Sequence, residues 1–360
     1  MRSTGTLVPS FGKDAVSLHK HGTHQWVGRS AALTVAGELQ AALHHLCVRQ
    51  HRAAKVYFSS SPRTSGYFCA RSISAMRVAD NRVVSVLALY REQLAPLYAE
   101  REVTAIARAV FKERLGWDAA QLELRKPDAL SESELLKVYL PISRLRTGEP
   151  LQYVLGEVEF HGLRLKVDPS VLIPRPETEE LVDLVLGSGA RPDRIVDIGT
   201  GSGCIALALK KGYPGAEVHG WDASAPALAV AATNGRASGS EVHWRLVDIL
   251  NDAVEFPEGT DLVISNPPYI PVDEAASMER TVLDHEPHIA LFAPADDPLA
   301  FYRCIASKSF VALPAGGHLW FEGHWSHSSE VGLTLRSMGF ASVEVLHDLS
   351  GHPRFIHAVR

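Results

Sequence analysis

Cysteine is scarce in this 360-residue sequence: Cys47, Cys69, Cys204 and Cys304 are scattered, and none forms a CxxC pair. That excludes a disulfide framework and a cysteine zinc site, and it suits a reducing cytoplasm. Long apolar runs are missing too. Stretches such as Ala225 to Ala232 fall well short of the roughly 20 residues of a membrane-spanning helix. No internal repeat is present. Most of the chain also lacks an excess of positive charge. Residues 76–360 carry 27 Lys/Arg against 39 Asp/Glu. Such a body is a poor general binder of nucleic acid, where phosphate contacts dominate affinity. What the sequence does have is apolar material, with 46% hydrophobic and 21% charged residues. This excludes disorder as the main state and supplies a large core, enough for two domains.

Residues 1–75 are unlike the rest. They hold ten serines, six arginines and six histidines, and their nine Lys/Arg face only two acids, Asp14 and Glu38. Only Ala31 to Val48 has helical character. Three readings stay open. The composition resembles an organellar transit peptide. It also suits a basic arm that touches RNA. Alternatively the segment is no part of the working protein, because Met76-Arg77-Val78-Ala79-Asp80 runs straight into a strong helix. The segment is expected to be disordered or not translated.

Residues 76–150 read as a helical domain. Val83, Val84, Leu87, Tyr90 and Leu94 recur at helix spacing. A second helix covers Glu100 to Leu115, and a third covers Ser131 to Arg146. Ser131 and Glu134 have the spacing of a capping box. Pro141 is expected to bend or break that third helix. Residues 151–176 read as a hairpin linker, with strands Gln152–Phe160 and Leu163–Val167 around His161-Gly162. The prolines of Ile173-Pro174-Arg175-Pro176 exclude helix before Pro176. Pro176 itself suits a first helical turn, with Glu177, Glu179 and Glu180 at the positive end.

Residues 177–360 alternate between strand and helix patterns. The strands are Arg194–Ile198, Glu217–Trp221, Val242–Val247, Asp261–Ser265, Gly317–Phe321, Ser342–His347 and Arg354–Val359. Helices fit Cys204–Lys211, Ala225–Gly235, Pro298–Ala312 and Ser328–Met338. This pattern gives an α/β fold with a seven-stranded doubly wound sheet. The loop Asp348 to Pro353 is too short for a crossover, so the last strand is antiparallel.

Two motifs carry chemistry. Asp197-Ile198-Gly199-Thr200-Gly201-Ser202-Gly203 follows a strand and opens a helix, the context of a nucleotide-type loop. It is not GxGxxG and has no GK[ST] after it, so the dinucleotide fingerprint and the P-loop both fail. Asp197 can meet an ammonium group. Asp222, ending the next strand, can take two ribose hydroxyls. Asp248, ending the third, can receive an adenine amino group. An amine, a ribose and an adenine together describe S-adenosylmethionine. The bland alternative is a strand-to-helix turn with helix-capping acids.

The second motif is Ser265-Asn266-Pro267-Pro268-Tyr269, at the end of the fourth strand and facing the glycine loop. An amide or aniline-like NH2 is a weak nucleophile because its lone pair is delocalised. The Asn266 side-chain oxygen and the Pro267 carbonyl can hold its two N–H groups and aim the nitrogen. Pro267 and Pro268 stiffen the loop, and Tyr269 can wall the substrate's flat group. Weaker candidates are Cys204 at a helix start, which reads better as a packing residue, and Arg175 and Glu177 near the substrate mouth. His285, His288, His318, His324 and His327 show no convincing ligand spacing, so no metal is expected.

These residues resemble those of the class I S-adenosylmethionine-dependent methyltransferases that act on amino nitrogens. Further stretches narrow the likeness: Gly148–Tyr153, Glu159–Leu163, Leu172–Glu179, Pro287–Phe292 and Asp348–Gly351. Together they resemble the peptide chain release factor glutamine methyltransferases (PrmC/HemK family), over Met76 to Arg360. The resemblance implies methylation of the side-chain amide nitrogen (N5) of the glutamine in the release factor GGQ loop. It implies a helical N-terminal domain that holds the release factor. Asn266, Pro267, Pro268 and Tyr269 would serve the glutamine. Asp197, Gly199, Thr200, Gly201, Ser202, Gly203, Asp222, Asp248, Ile249 and Asn266 would hold S-adenosylmethionine. A cytoplasmic monomer that binds neither membrane nor nucleic acid is expected. Phe321-Glu322-Gly323-His324-Trp325 departs from the family pattern of an acid followed by Ile and an amide pair, at the late sheet edge. The rival reading is an N6-adenine or N2-guanine nucleic-acid methyltransferase, which faces the same nucleophile problem but needs a basic target surface. A non-catalytic cofactor-fold scaffold is the third.

Overall fold

The computed structural model describes residues 80–250 and 253–360; the readings of residues 1–75 lie outside them. Helices α1 (Val83–Leu94), α2 (Glu100–Leu115), α3 (Ala119–Leu124) and α4 (Glu132–Leu145) bring their apolar stripes together around Tyr90, Phe111, Val138 and Ile142. The N–H groups of Val83 and Val84 donate to the carbonyls of Asp128 and Lys126, so α1 needs no side-chain cap. Ser131 and Glu134 form the expected capping box on α4. Pro141 does not break that helix. It lies on the buried face with Val138, Ile142 and Leu145, and packing of that face outweighs the backbone bond the proline removes. The Tyr90 hydroxyl donates to the Val138 carbonyl at 2.6 Å, fastening α1 to α4 just before the proline.

The stretch Gln152–Phe160, expected as one strand, divides. Leu151–Leu155 is a short helix, α5, and only Glu157–Phe160 is strand β1. Leu151, Val154 and Leu155 sit at helical spacing and pack on the bundle core. Gly156, at φ 78°, then ends the helix. Arg114 donates to the Val154 and Leu155 carbonyls at 3.0 and 3.2 Å, and Arg144 donates to Tyr153 at 3.0 Å. These bonds replace the partners that a helix end lacks. β1 pairs antiparallel with β2 (Leu163–Lys166). His161 and Gly162, at φ 48° and 67°, make the two-residue turn whose twist matches a hairpin. Phe160 and Leu165 carry the hairpin into the core of the following domain.

That domain is built on β3 (Arg194–Ile198), β4 (Glu217–Asp222), β5 (His243–Leu246), β6 (Leu262–Ser265), β7 (His318–Glu322), β8 (Ser342–His347) and β9 (Pro353–Val359). Its helices are α6 (Pro176–Gly187), α7 (Cys204–Gly212), α8 (Ala225–Ser238), α9 (Arg280–His285), α10 (His288–Leu291), α11 (Ala300–Ala312) and α12 (Ser328–Ser337). The strand order is β5-β4-β3-β6-β7-β9-β8. The first five run parallel, and β9 is antiparallel to both β7 and β8. This is the expected doubly wound sheet with its last strand reversed. Alternation along the strands splits the core in two. Ile195, Leu262, Ile264 and Trp320 pack on the α6–α7 side. Val196, Ile198, Val263 and Phe321 pack on the α11–α12 side. The unusual Phe321–Trp325 stretch leaves the sheet intact, since β7 pairs with β6 and, through Glu322, with β9. No helix among the described residues is long and apolar enough to cross a membrane.

Candidate active site

The strand order reverses where β3 lies between β4 and β6, and a crevice is expected beyond the carboxyl ends of the strands there. A cavity of about 270 Å³ occupies that place. Gly199, Gly201, Asp222, Asp248, Ile249, Asn266, Pro267 and Pro268 line it. The two motifs, far apart in sequence, therefore face one space. Ser265 Oγ, donating to the Ile198 carbonyl at 2.7 Å, ties the two strand ends together.

The glycine loop is held by its neighbours. Gly199 and Thr200 N–H donate to the Trp221 carbonyl at 2.8 and 2.9 Å. Gly199, Gly201 and Gly203 all have positive φ, which other L-residues adopt only with strain. At Gly203 a side chain would also strike Trp244, 2.9 Å from the Cβ position. Asp222 accepts from Gly201 N through Oδ2 and from Ser224 N through Oδ1, each at 2.8 Å. Burial pushes its carboxyl up, against the pull of these bonds. A carboxylate has about four lone-pair sites, so acceptor capacity remains on the cavity side. Asp248 is exposed and caps its own loop, accepting from Leu250 N at 3.0 Å.

Asp197 lies behind the loop, fully buried. Oδ2 accepts from Thr200 Oγ1 at 2.6 Å and from Ala206 N at 3.2 Å. Among the described residues Oδ1 has no partner. Burial pushes the carboxyl up to about 7, against those hydrogen bonds. Asp197, Thr200, Ser202 and Gly203 shape the loop from outside the cavity lining, which the sequence reading did not anticipate. Cys204 is a packing residue of α7, its thiol pushed up to about 12 by burial.

At the second motif, Asn266 Nδ2 donates to Thr178 Oγ1 at 3.2 Å. Thr178 in turn donates to Glu322 Oε2 at 2.7 Å. Tyr269 is not in the cavity lining. Its ring packs on the α11–α12 core, and its hydroxyl donates to Glu322 Oε1 at 3.2 Å. Glu322 is buried at the end of β7. Burial pushes its carboxyl up to about 7, against hydrogen bonds from Thr178 and Tyr269 and the charge of Arg354.

Sequence reasoning missed four of these supports. Thr178 and Glu322 stand behind the second motif. Asn234, buried on α8, donates to the Ser202 carbonyl at 2.9 Å and to the Lys166 carbonyl at 3.0 Å, and accepts from Lys166 N at 2.7 Å. One side chain thus links the glycine loop to β2. Glu286 accepts from Ile173 N at 3.1 Å and from Arg175 Nη2 at 2.6 Å. It clasps the proline-rich stretch whose preceding residues, Val171 and Leu172, line the cavity along with Ile289. The one available signal was that Thr178 and Arg175 sit in the unusual proline-rich stretch itself.

Two family models match the chain: the PrmC N-terminal domain over residues 85–156 and the methyltransferase small domain over residues 179–283. The chain is 39% identical, over 277 residues, to the release factor glutamine methyltransferase of Bacteroides thetaiotaomicron, covering 76% of this chain and 99% of that one. It is 34% identical to that of Flavobacterium psychrophilum, covering 74% of this chain and 96% of that one. A solved methyltransferase from Pyrococcus furiosus is similar at 18% identity, over 55% of this chain and 89% of that one, with TM-score 0.42.

Proposed function

The chain belongs to the release factor glutamine methyltransferase family, and we propose that it methylates the side-chain amide nitrogen of the glutamine in the GGQ loop of peptide chain release factors. The observation that carries this reading is the Asn266-Pro267 pair lining the same cavity as the glycine loop, at the ends of the adjacent strands β6 and β3. A glutamine amide nitrogen shares its lone pair with its carbonyl. Asn266 Oδ1 and the Pro267 carbonyl hold its two N–H groups, direct the nitrogen into the cavity and oppose that sharing. The proton leaves after transfer, so these residues need only hold and orient. The helices α1 to α4 hold the release factor.

S-adenosylmethionine, when bound, supplies an electrophilic methyl group. The residues fit it. Gly199 and Gly201 allow close backbone approach, Asp222 keeps acceptors for ribose hydroxyls, and Asp248 with Ile249 flanks the place for adenine. The buried, unpartnered Oδ1 of Asp197 is costly on its own, and an ammonium group nearby offsets that cost. A pH effect follows. Free Asp197 is held at about 7, and a neighbouring ammonium favours its ionised form. Affinity for S-adenosylmethionine therefore rises as pH approaches 7 from below, with protons released on binding. Calorimetry in two buffers of different ionisation heat reads this directly. Affinity and heat that ignore pH would remove Asp197 from the ammonium's partners.

The function is tested by methyl transfer from labelled S-adenosylmethionine to a purified release factor. The same factor with its GGQ glutamine changed to alanine, bulk RNA and bulk DNA are run beside it. Label on the intact factor alone is the expected result. Label on nucleic acid would replace the substrate with an exocyclic base amine.

A further inference from the structure

We infer that Glu322, acting through Thr178, fixes which atom of the Asn266 carboxamide faces the acceptor nitrogen, and is thus a positioning residue; this rests on the amide-methylation reading above. The argument is proton arithmetic. A carboxamide has one accepting end and one donating end, nearly equal in size and shape, and nothing steric selects between them. The acceptor nitrogen brings N–H groups, so the oxygen must face it. Were the Asn266 group turned over, donor would meet donor.

The hydrogen bonds behind Asn266 make the choice. Thr178 has a single hydroxyl proton and gives it to Glu322 Oε2 at 2.7 Å. Its oxygen then presents only lone pairs to Asn266, and the partner that matches them is Nδ2, at 3.2 Å. Oδ1 is the end left over, and among the described residues no group donates to it. Glu322 is held in this role from its other side. Tyr269 donates to Oε1 at 3.2 Å, so in its ionised form, the one that sets this direction, Glu322 accepts at both carboxyl oxygens, and Tyr302 donates to its backbone carbonyl at 3.2 Å. Thr178 and Glu322 are both buried, so water does not scramble the direction of the chain. Three elements meet here: α6 brings Thr178, β7 brings Glu322, and the loop after β6 brings Asn266. Their junction supplies a polarity that Asn266 alone does not have.

The test uses the full chain with Thr178→Val, Thr178→Ser, Glu322→Gln, and the Val/Gln pair. Thr178→Val keeps the shape of the side chain and removes the hydroxyl. It is expected to lower kcat about 10-fold or more, on the scale of lost positioning. KM for the release factor and Kd for S-adenosylmethionine are expected to stay within about twofold, since neither ligand is held by Thr178. Thr178→Ser restores the hydroxyl and recovers most of kcat. The Val/Gln pair is no slower than the slower single variant, because both break one chain. Full kcat in Thr178→Val, or losses that multiply in the pair, would overturn the inference. A second readout does not depend on the substrate. In the free wild-type chain the Asn266 side-chain NH2 protons exchange slowly by nuclear magnetic resonance, and in Thr178→Val they exchange fast while backbone amides of the same loop keep their protection. Equal exchange in both overturns the inference. If the wild-type chain labels no release factor, the proposed function falls, while the exchange experiment still decides on Glu322 and Thr178.

Discussion

Asn266→Ala is expected to cut methyl transfer about 10²-fold or more, with affinity for S-adenosylmethionine within about twofold of normal. The split is the informative part. Asn266 lines the cavity beside Pro267 and is held by Thr178, but the loop around it is shaped by other groups. Ser265 bonds to the end of β3, and the consecutive Pro267 and Pro268 fix the backbone just after Asn266. Removing the carboxamide therefore takes away one acceptor for the amide N–H groups and leaves the cavity standing. Transfer is measured with labelled donor at saturating release factor, and binding by calorimetry. Normal turnover in the alanine variant would end the role assigned to Asn266.

Asp222→Ala acts elsewhere in the cavity lining and should show the reverse split. Its carboxylate joins two segments, accepting from Gly201 N and Ser224 N, and it faces the cavity. Hydrogen bonds to a charged group are worth about 1.5–3 kcal/mol each. Losing the pair offered to ribose hydroxyls weakens S-adenosylmethionine binding by roughly 10² to 10⁴-fold. The same change frees the glycine loop, so kcat at saturating donor falls less than affinity does. Calorimetric Kd beside kcat distinguishes this from Asn266→Ala. A Kd within about threefold of normal would contradict the reading of Asp222 as the ribose acceptor.

Much of the fold was legible because its signals are local. Strand alternation, the glycine loop at the end of β3 and the short β8–β9 loop each depend on neighbours in sequence, and together they specify a doubly wound sheet with a reversed strand. The misread segments are those where tertiary packing overrides local preference. Pro141 argues against helix by itself, yet it packs on the buried face of α4. Gln152–Leu155 has a strand-like composition, but the bundle core accepts it as a turn of helix, with arginines from α2 and α4 on its carbonyls. At the site, Gly199, Gly201, Asp222, Asp248, Ile249 and Asn266 to Pro268 were legible as cavity residues, whereas apolar lining such as Ala227, Phe301 and Ile305, and the supports behind the motifs, were not. Thr178 lies 88 positions from Asn266 and 144 from Glu322. No periodicity or motif links residues so far apart. Glu322 sat inside a stretch that read as an irregularity, and Asn234 looked like one polar residue on a helix. Tyr269 shows the same limit: its place in the motif suggested a wall for the substrate, whereas its hydroxyl is tied to Glu322.

The position of β9 has a consequence for synthesis on the ribosome. β9 follows the other strands of this sheet in sequence, yet it lies inside the sheet, between β7 and β8. Glu322 pairs with Phe355 on that strand, and Gly323 N–H bonds to the Arg354 carbonyl. Until the chain through Val359 is available to fold, β7 ends the parallel array with one open edge, and β8 lacks the strand it pairs with. A nascent chain can close the glycine loop early, since β3, β4 and α7 are already complete. The carboxylate behind Asn266 takes its final surroundings only when the last strand slides into place. Folding of this half of the sheet accordingly trails that of the first half, governed by contacts far apart in sequence, and the parts of the cavity mature in order, glycine loop first.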